Sequence, residues 1–331
     1  MLCALLIVLL TVKIGEACPD RWAKVDAWLH FNTEDKGEHI TGKSINELDE
    51  YEMIEVTKAN ISTLCDGAIK NLPELRFLSL VEANISKIQP DAFQNLPLLT
   101  HLSLAVNRLT SIERYQFKNL DKLNTLYLSK NRIENVEEDA FTDLIHLRKV
   151  FLDRNKLHEI DSKWFLSNPK LGLIDLSFND ISKVQAGAFA LPRNSIVEIR
   201  LQNNQVEEIE PDAVTSEGKD DGKPHLTLRL ERNKLAKISE KFVQSMDKLR
   251  SSLYFDSNQL KCFDPKTLRV LKNVTVELHV DKNPIDCDCL IAATNFVEDH
   301  VLSATFYFSS TECKLPVAKP KHQPQNMFFY T

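Results

Sequence analysis

Glycine is scarce, at 8 of 331 residues. Folds that cradle nucleotides in glycine-rich turns need residues that tolerate positive φ beside the phosphates, and this supply is too thin for one. A basic excess is missing too. The formal net charge is −6 at pH 7, which argues against nucleic acid as the main partner, because phosphate binding ordinarily shows as surplus lysine and arginine. Neither H-E-x-x-H nor G-x-S-x-G occurs, so the common zinc-protease and serine-hydrolase signatures are excluded. The apolar run from Leu2 to Val12 is too short to span a bilayer, which takes ~20 apolar residues. With 43% hydrophobic and 27% charged residues, the chain has the composition of an ordinary soluble fold.

That apolar run is followed by Lys13 and the small residues Gly15 and Ala17. The pattern predicts a secretory signal peptide over 1–17, cut before Cys18. Cys3 leaves with it, and the mature chain keeps Cys18, Cys65, Cys262, Cys287, Cys289 and Cys313. An exported chain can oxidise an even set of cysteines. Cys287-Asp288-Cys289 lacks a nearby second pair or a histidine, so a metal site is not expected.

One catalytic motif does match by letter. The stretch GEHITGKS, from Gly37 to Ser44, fits the phosphate-loop pattern G-x-x-x-x-G-K-[ST]. A working loop of that kind follows a buried strand and opens a helix. Here the polar NTEDK precedes it, and a secreted site meets little ATP. The segment reads as a polar cap loop, and the protein is expected to be no enzyme and to need no cofactor.

The organising feature is a repeat. LTHLSLAVNRL begins at Leu99, LNTLYLSKNRI at Leu123, LRKVFLDRNKL at Leu147 and LGLIDLSFNDI at Leu171. Each reads L-x-x-L-x-L-x-x-N-x-L. Asn107, Asn131, Asn155 and Asn179 stand 24 residues apart, and Asn204, Asn233, Asn258 and Asn283 continue the series. Backwards, the same register falls on Ala83 and Ala59, which makes about ten repeats. The L-x-L segment predicts a short strand with its leucines inward, one strand per coil stacked in parallel. The asparagine at the following turn is placed to bond buried backbone groups. Phe93, Phe117, Phe141, Phe165 and Phe189 predict a stacked aromatic spine in the core.

This pattern resembles the extracellular leucine-rich repeat family of roughly 24-residue repeats, as in Toll-type ectodomains, matrix proteoglycans and secreted insect immune proteins. The resemblance spans about Tyr51 to Cys313. It implies an α/β-type solenoid: a horseshoe with a parallel concave sheet, an irregular or short-helical convex side and disulfide-capped ends. The expected organisation is an N-terminal cap over 18–50, repeats over 51–285, a cysteine-containing cap over 286–313 and a mobile tail over 314–331. The family's C-terminal cap carries two further cysteines after its C-x-C, whereas here only Cys313 follows.

Register suggests the pairing. Cys262 and Cys287 each lie four residues after a ladder asparagine. Adjacent coils stack ~4.8 Å apart, within the ~4.4–6.8 Å Cα range of disulfides. The expectation is therefore Cys262–Cys287 with Cys289–Cys313, and Cys18–Cys65 tying the N-terminal cap to the first coil. Asn60, Asn84 and Asn273 head N-x-[ST] sequons and are the expected glycan sites. Asn60 and Asn84 share one register and hence one flank.

Strand alternation places the other residues of each L-x-x-L-x-L on the concave face. Phe77, His101, Tyr127, Phe151 and Leu173 predict an apolar and aromatic half. Arg200, Arg229 and Tyr254 belong to a half of mixed charge. These eight are the candidate ligand-binding residues, since exposed apolar patches and Tyr or Arg anchors mark interfaces. His101 and His279 fall on strands and need no special role. The long repeat after Asn204 puts its excess in TSEGKDDGKPH, Thr215 to His225, a surface loop. The resemblance implies a secreted recognition protein for a protein ligand or microbial glycan, without a membrane span, partnered by itself or another leucine-rich repeat protein. A matrix or adhesion component is the alternative.

Overall fold

In a computed structural model, residues 49–191, 195–216, 223–270, 275–299 and 304–308 are described, with short strands at 12–13, 22–23, 26–30, 38–39 and 327–329. Two compact units result. One comprises Met1–Leu157 with Lys163–Leu171, the other His158–Ser162 with Gly172–Thr331.

In the first unit, β1 (Asp26–His30) lies antiparallel beside β2 (Met53–Thr57). From there the strands are parallel: β3 (Phe77–Val81), β4 (His101–Ser103), β5 (Thr125–Tyr127) and β6 (Lys149–Phe151). The second unit repeats the plan with β7 (Leu173–Asp175), β8 (Ile196–Arg200), β9 (His225–Arg229), β10 (Arg250–Tyr254), β11 (Thr275–His279) and β12 (Ala304–Phe308). β13 (Met327–Phe329) is its edge strand.

Each coil turns where the asparagine stands. The backbone N–H groups of Ala83 and Ile85 both donate to Asn107 Oδ1 at 3.0 Å, and its Nδ2 donates to the carbonyls of Leu80 and Leu104. Asn131, Asn155, Asn204, Asn233 and Asn258 bridge their own coil and the preceding one in the same way. These amides are buried, so they pair backbone groups that water cannot reach. The residue before each ladder position is left-handed, with φ of 56° at Val106 and 58° at Asn203. Alanine replaces asparagine at 59 and 83. There β2 and β3 run on through Val56–Leu80 and Thr57–Val81, and Ile61 N–H, which an asparagine at 83 would serve, donates instead to Ala83 O at 2.8 Å.

Alternate strand residues such as Leu102, Leu104, Leu226 and Leu228 fill the core. Phe93, Phe117, Phe141 and Phe165 stack with ring centres 6.5, 6.5 and 5.6 Å apart. Away from the main sheet, the coils carry two-stranded parallel pairs such as Ile69–Lys70 with Phe93–Gln94. Late in the chain these give way to α1 (Glu240–Ser245) and α2 (Pro265–Val270), and α3 (Cys287–Asp299) closes the stack.

Three expectations change. The disulfide is Cys262–Cys289, with Cα atoms 5.5 Å apart, not Cys262–Cys287 with Cys289–Cys313. The chain leaves the coil register after Asn283 and enters α3 at Cys287. Helical residues two apart point in opposed directions, so one cysteine of the C-x-C faces Cys262 and the other does not. Cys65 and Cys287 are also disulfide-bonded, while Cys18 and Cys313 lie outside the described residues. The second change concerns GEHITGKS, expected as a polar cap loop: its Glu38 and His39 form a short strand that pairs antiparallel with Leu29 and Trp28 of β1. Third, Met327–Phe329 of the expected mobile tail pairs with Phe306–Phe308, because an unpaired strand edge is a template for any extended apolar segment. The signal peptide's apolar run through Thr11, the sequon Asn273 and loop residues 217–222 lie outside the described residues.

Candidate functional site

Parallel register brings the expected face residues into columns within each unit. In the first, Phe77 lies beside His101, with ring centres 5.9 Å apart, and Tyr127 stacks on Phe151 at 4.8 Å. All four are half-buried. Tyr127 and Phe151 cover one another's faces, whereas Phe77 and His101 are tilted by 31°, so the Tyr127–Phe151 pair shows less open apolar surface than alternation alone implies. Burial and the nearby Lys149 charge hold the His101 pKa below its usual value.

In the second unit the columns become an ionic rail. Leu173 pairs in register with Glu198, and Asp175 with Arg200. Arg200 donates to Asp175 Oδ2 at 3.2 Å and through Nε to Glu198 Oε1 at 2.9 Å. Arg229 donates through Nε to the same Glu198 oxygen and through Nη1 to Glu231, both at 3.0 Å. Hydrogen bonding to Arg200, with support from Arg229, holds the Glu198 pKa below the usual carboxylate range.

Past Arg229 the rail turns aromatic. The guanidinium lies 4.5 Å from the Tyr254 ring centre, Tyr254 stacks on His279 at 4.1 Å, and His279 on Tyr307 at 4.3 Å. His279 is thus a sandwiched ring, not an incidental surface histidine. Tyr307 was not anticipated, because it falls beyond the asparagine ladder; strand pairing with β11 brings it into the column.

This face carries six carboxylates, Asp175, Glu198, Glu231, Asp256, Glu277 and Asp281, against the guanidiniums of Arg200, Arg229 and Arg250. Burial raises the pKa values of Glu231 and Asp256 and lowers that of His279. Among the described residues, no group hydrogen-bonds to Glu231 Oε2 or His279 Nε2, both buried polar atoms. Such atoms cost free energy until a partner reaches them. Among the described residues no cluster of His, Cys, Asp and Glu is arranged to hold a metal, and no helix is long and apolar enough to cross a membrane.

Asn60 and Asn84 share one flank, where Asn84 Nδ2 donates to Asn60 Oδ1 at 3.0 Å.

Stacked coils, a parallel strand from each and an asparagine at the turns from Asn107 onward define a solenoid repeat fold. Residues 52–109, 97–156 and 145–206 match the leucine rich repeat family model, so that stretch of the chain is built of leucine-rich repeats. Solved structures that share its fold include two from complexes. Toll, in the Drosophila Toll–Spatzle complex, aligns with a TM-score of 0.58 and 17% identity over 88% of this chain and 40% of that one. TLR13, in a TLR13–ssRNA13 complex, aligns with a TM-score of 0.54 and 17% identity over 80% of this chain and 45% of that one. The chain therefore spans less than half of either. No curated protein sequence matches it.

Proposed function

We propose that this protein is a secreted, non-catalytic recognition module that binds a protein ligand through the sheet face of its second unit, in innate immunity or receptor-like signalling. The observation that carries the reading is the rail from Arg200 to Tyr307, with its carboxylate majority and its unsatisfied Glu231 Oε2 and His279 Nε2. A ligand that presents lysine or arginine beside an aromatic residue would satisfy the acceptors and pack against the ring edges. Candidate residues Arg200, Arg229 and Tyr254 are its anchors. Phe77, His101, Tyr127, Phe151 and Leu173 are a second contact set.

The likeness to Toll, whose complex with Spatzle is described as a hub in development and innate immunity, supports the immune reading. The TLR13–ssRNA13 complex removes net charge as grounds to exclude nucleic acid for such a fold. The carboxylate majority on the second unit's face still opposes a polyanion there. In this reading residues 1–17 are removed on export, and Asn60 and Asn84 carry glycans on one flank of the first unit.

The test is affinity capture from the native extracellular fluid. Wild type is compared with Arg229→Glu/Tyr254→Asp and with Tyr127→Asp/Phe151→Asp, each checked for folding. A partner held by wild type and lost by the first variant supports the reading. Loss only in the second variant moves the site to the first unit, and equal retention by all three overturns a sheet-face site. Capture of collagen-like matrix proteins would favour the matrix alternative.

A further inference from the structure

On the flank that follows each asparagine turn, successive coils of the second unit are joined by a short parallel pair, Lys183–Val184 with Glu208–Ile209. There Glu207 N–H donates to Ser182 O and Glu210 N–H to Val184 O, both at 2.9 Å. The next coil does not continue the pair. Lys234 N–H still reaches Val206 O, but Lys237–Ile238 is not a strand, and the chain turns into α1 at Glu240. Among the described residues, the carbonyls of Glu207 and Ile209 receive no N–H from it. A cavity of about 580 Å³ opens at this break, within the ~300–1,000 Å³ range of small-ligand sites.

Its floor is apolar: Ile209, Ile238, Phe242, Phe255 and Phe263, all buried. Its walls are rich in acceptors. Besides Ile209, the acidic residues Glu207, Glu208, Glu240 and Asp264 line it, against Lys237 and Lys261, and Asp264 Oδ1 already accepts the Lys266 N–H at 2.8 Å. Lys183 pairs with Glu208; no ion pair engages Glu207, Glu240 or Asp264 among the described residues. Phe255 spans the coil from β10, and Cys262, bridged to Cys289, pins the far wall. The site is separate from the sheet face, so it stands or falls independently of the function proposed above.

We propose that this cavity binds a small amine: an aromatic or short alkyl body on the phenylalanine floor, with an ammonium group donating to the strand-edge carbonyls and the surrounding carboxylates. Charge and hydrogen-bond polarity choose the ligand. An apolar body alone would leave the acceptor wall unsatisfied, and a carboxylate head would face a net negative rim.

The test titrates folded, disulfide-intact protein with 2-phenylethylammonium and, separately, 3-phenylpropionate, followed by calorimetry and side-chain NMR. Two variants change only exposed or half-buried wall positions: Glu207→Lys/Glu240→Lys reverses the local charge, and Ala236→Trp fills the opening. Melting curves confirm that each is folded. The expected result is that the cation binds roughly fivefold or more tightly than the anion, that the charge reversal erases this preference, and that Ala236→Trp abolishes binding. Equal binding of both probes, binding of neither, or cation binding unchanged by Ala236→Trp would each overturn the proposal.

Discussion

Arg229 holds two kinds of partner at once: its guanidinium lies 4.5 Å from the Tyr254 ring centre while its Nε donates 3.0 Å to Glu198. Arg229→Met removes the charge and keeps much of the stem. It leaves Glu231 partly buried without its cation, so a loss of about 1–2 kcal/mol is expected, discounted for the exposure of the pair. A double-mutant cycle with Tyr254→Leu should return a coupling of about 0.5–1 kcal/mol. Chemical denaturation measures both, and a coupling near zero would show that the ring contact adds nothing.

Asn155 serves Ile133 N–H and the carbonyls of Leu128 and Leu152. Asn155→Ala strands these groups in a dry turn, and about 3 kcal/mol or more should be lost. Asn155→Asp keeps the acceptor but not the donor and should recover only part. A shift in denaturation midpoint below ~1 kcal/mol for the alanine variant would contradict the ladder's role.

Val106 is β-branched yet sits at φ 56°, where Asn203 stands in an equivalent slot at φ 58°. Val106→Asn should stabilise by about 1 kcal/mol, because asparagine tolerates the left-handed region and valine does not. Thermal unfolding checks the sign.

Burial sets two opposed pH dependences. The His279 pKa is lowered from its ordinary 6.5. The folded state therefore binds fewer protons than the unfolded one, and stability falls as pH drops below about 6.5. Asp256 and Glu277 oppose that shift, and Arg229 adds to it. Glu231 is raised from 4.5, so its contribution is present below about 4.5 and is lost as pH rises through its folded value. His279→Phe should flatten the loss on the acid side of neutrality, and Glu231→Gln should raise stability at pH 7 relative to pH 4. Melting midpoints across pH 4–8 read both.

Cys262 and Cys289 close a segment of 27 residues. Chain entropy assigns such a closure about 3.5 kcal/mol. Non-reducing peptide mapping should recover Cys262 joined to Cys289, and Cys262→Ser/Cys289→Ser should lower the melting midpoint. A Cys262–Cys287 peptide would reverse the assignment.

The repeat was legible because its determinants are local and periodic. Leu102 and Leu104 must point inward on one strand, and Asn107 must turn the chain, whatever lies elsewhere. The columns of the sheet face followed from the same register. What those columns do was not legible. Tyr127 and Phe151 read as an open patch, yet their faces are spent on each other. His279 read as incidental, yet it lies between Tyr254 and Tyr307.

Sequence by itself determined the coil, its inward leucines, its asparagine turn and the order of residues along the sheet, because each depends on contacts one repeat apart. Tertiary structure decided which cysteine of Cys287-Asp288-Cys289 meets Cys262, where the flank pair stops and a cavity opens, and which polar atoms are left without partners. Those outcomes depend on side-chain direction at the start of α3 and on the replacement of a strand by α1. Both are settled by packing between coils, which a repeat pattern does not encode.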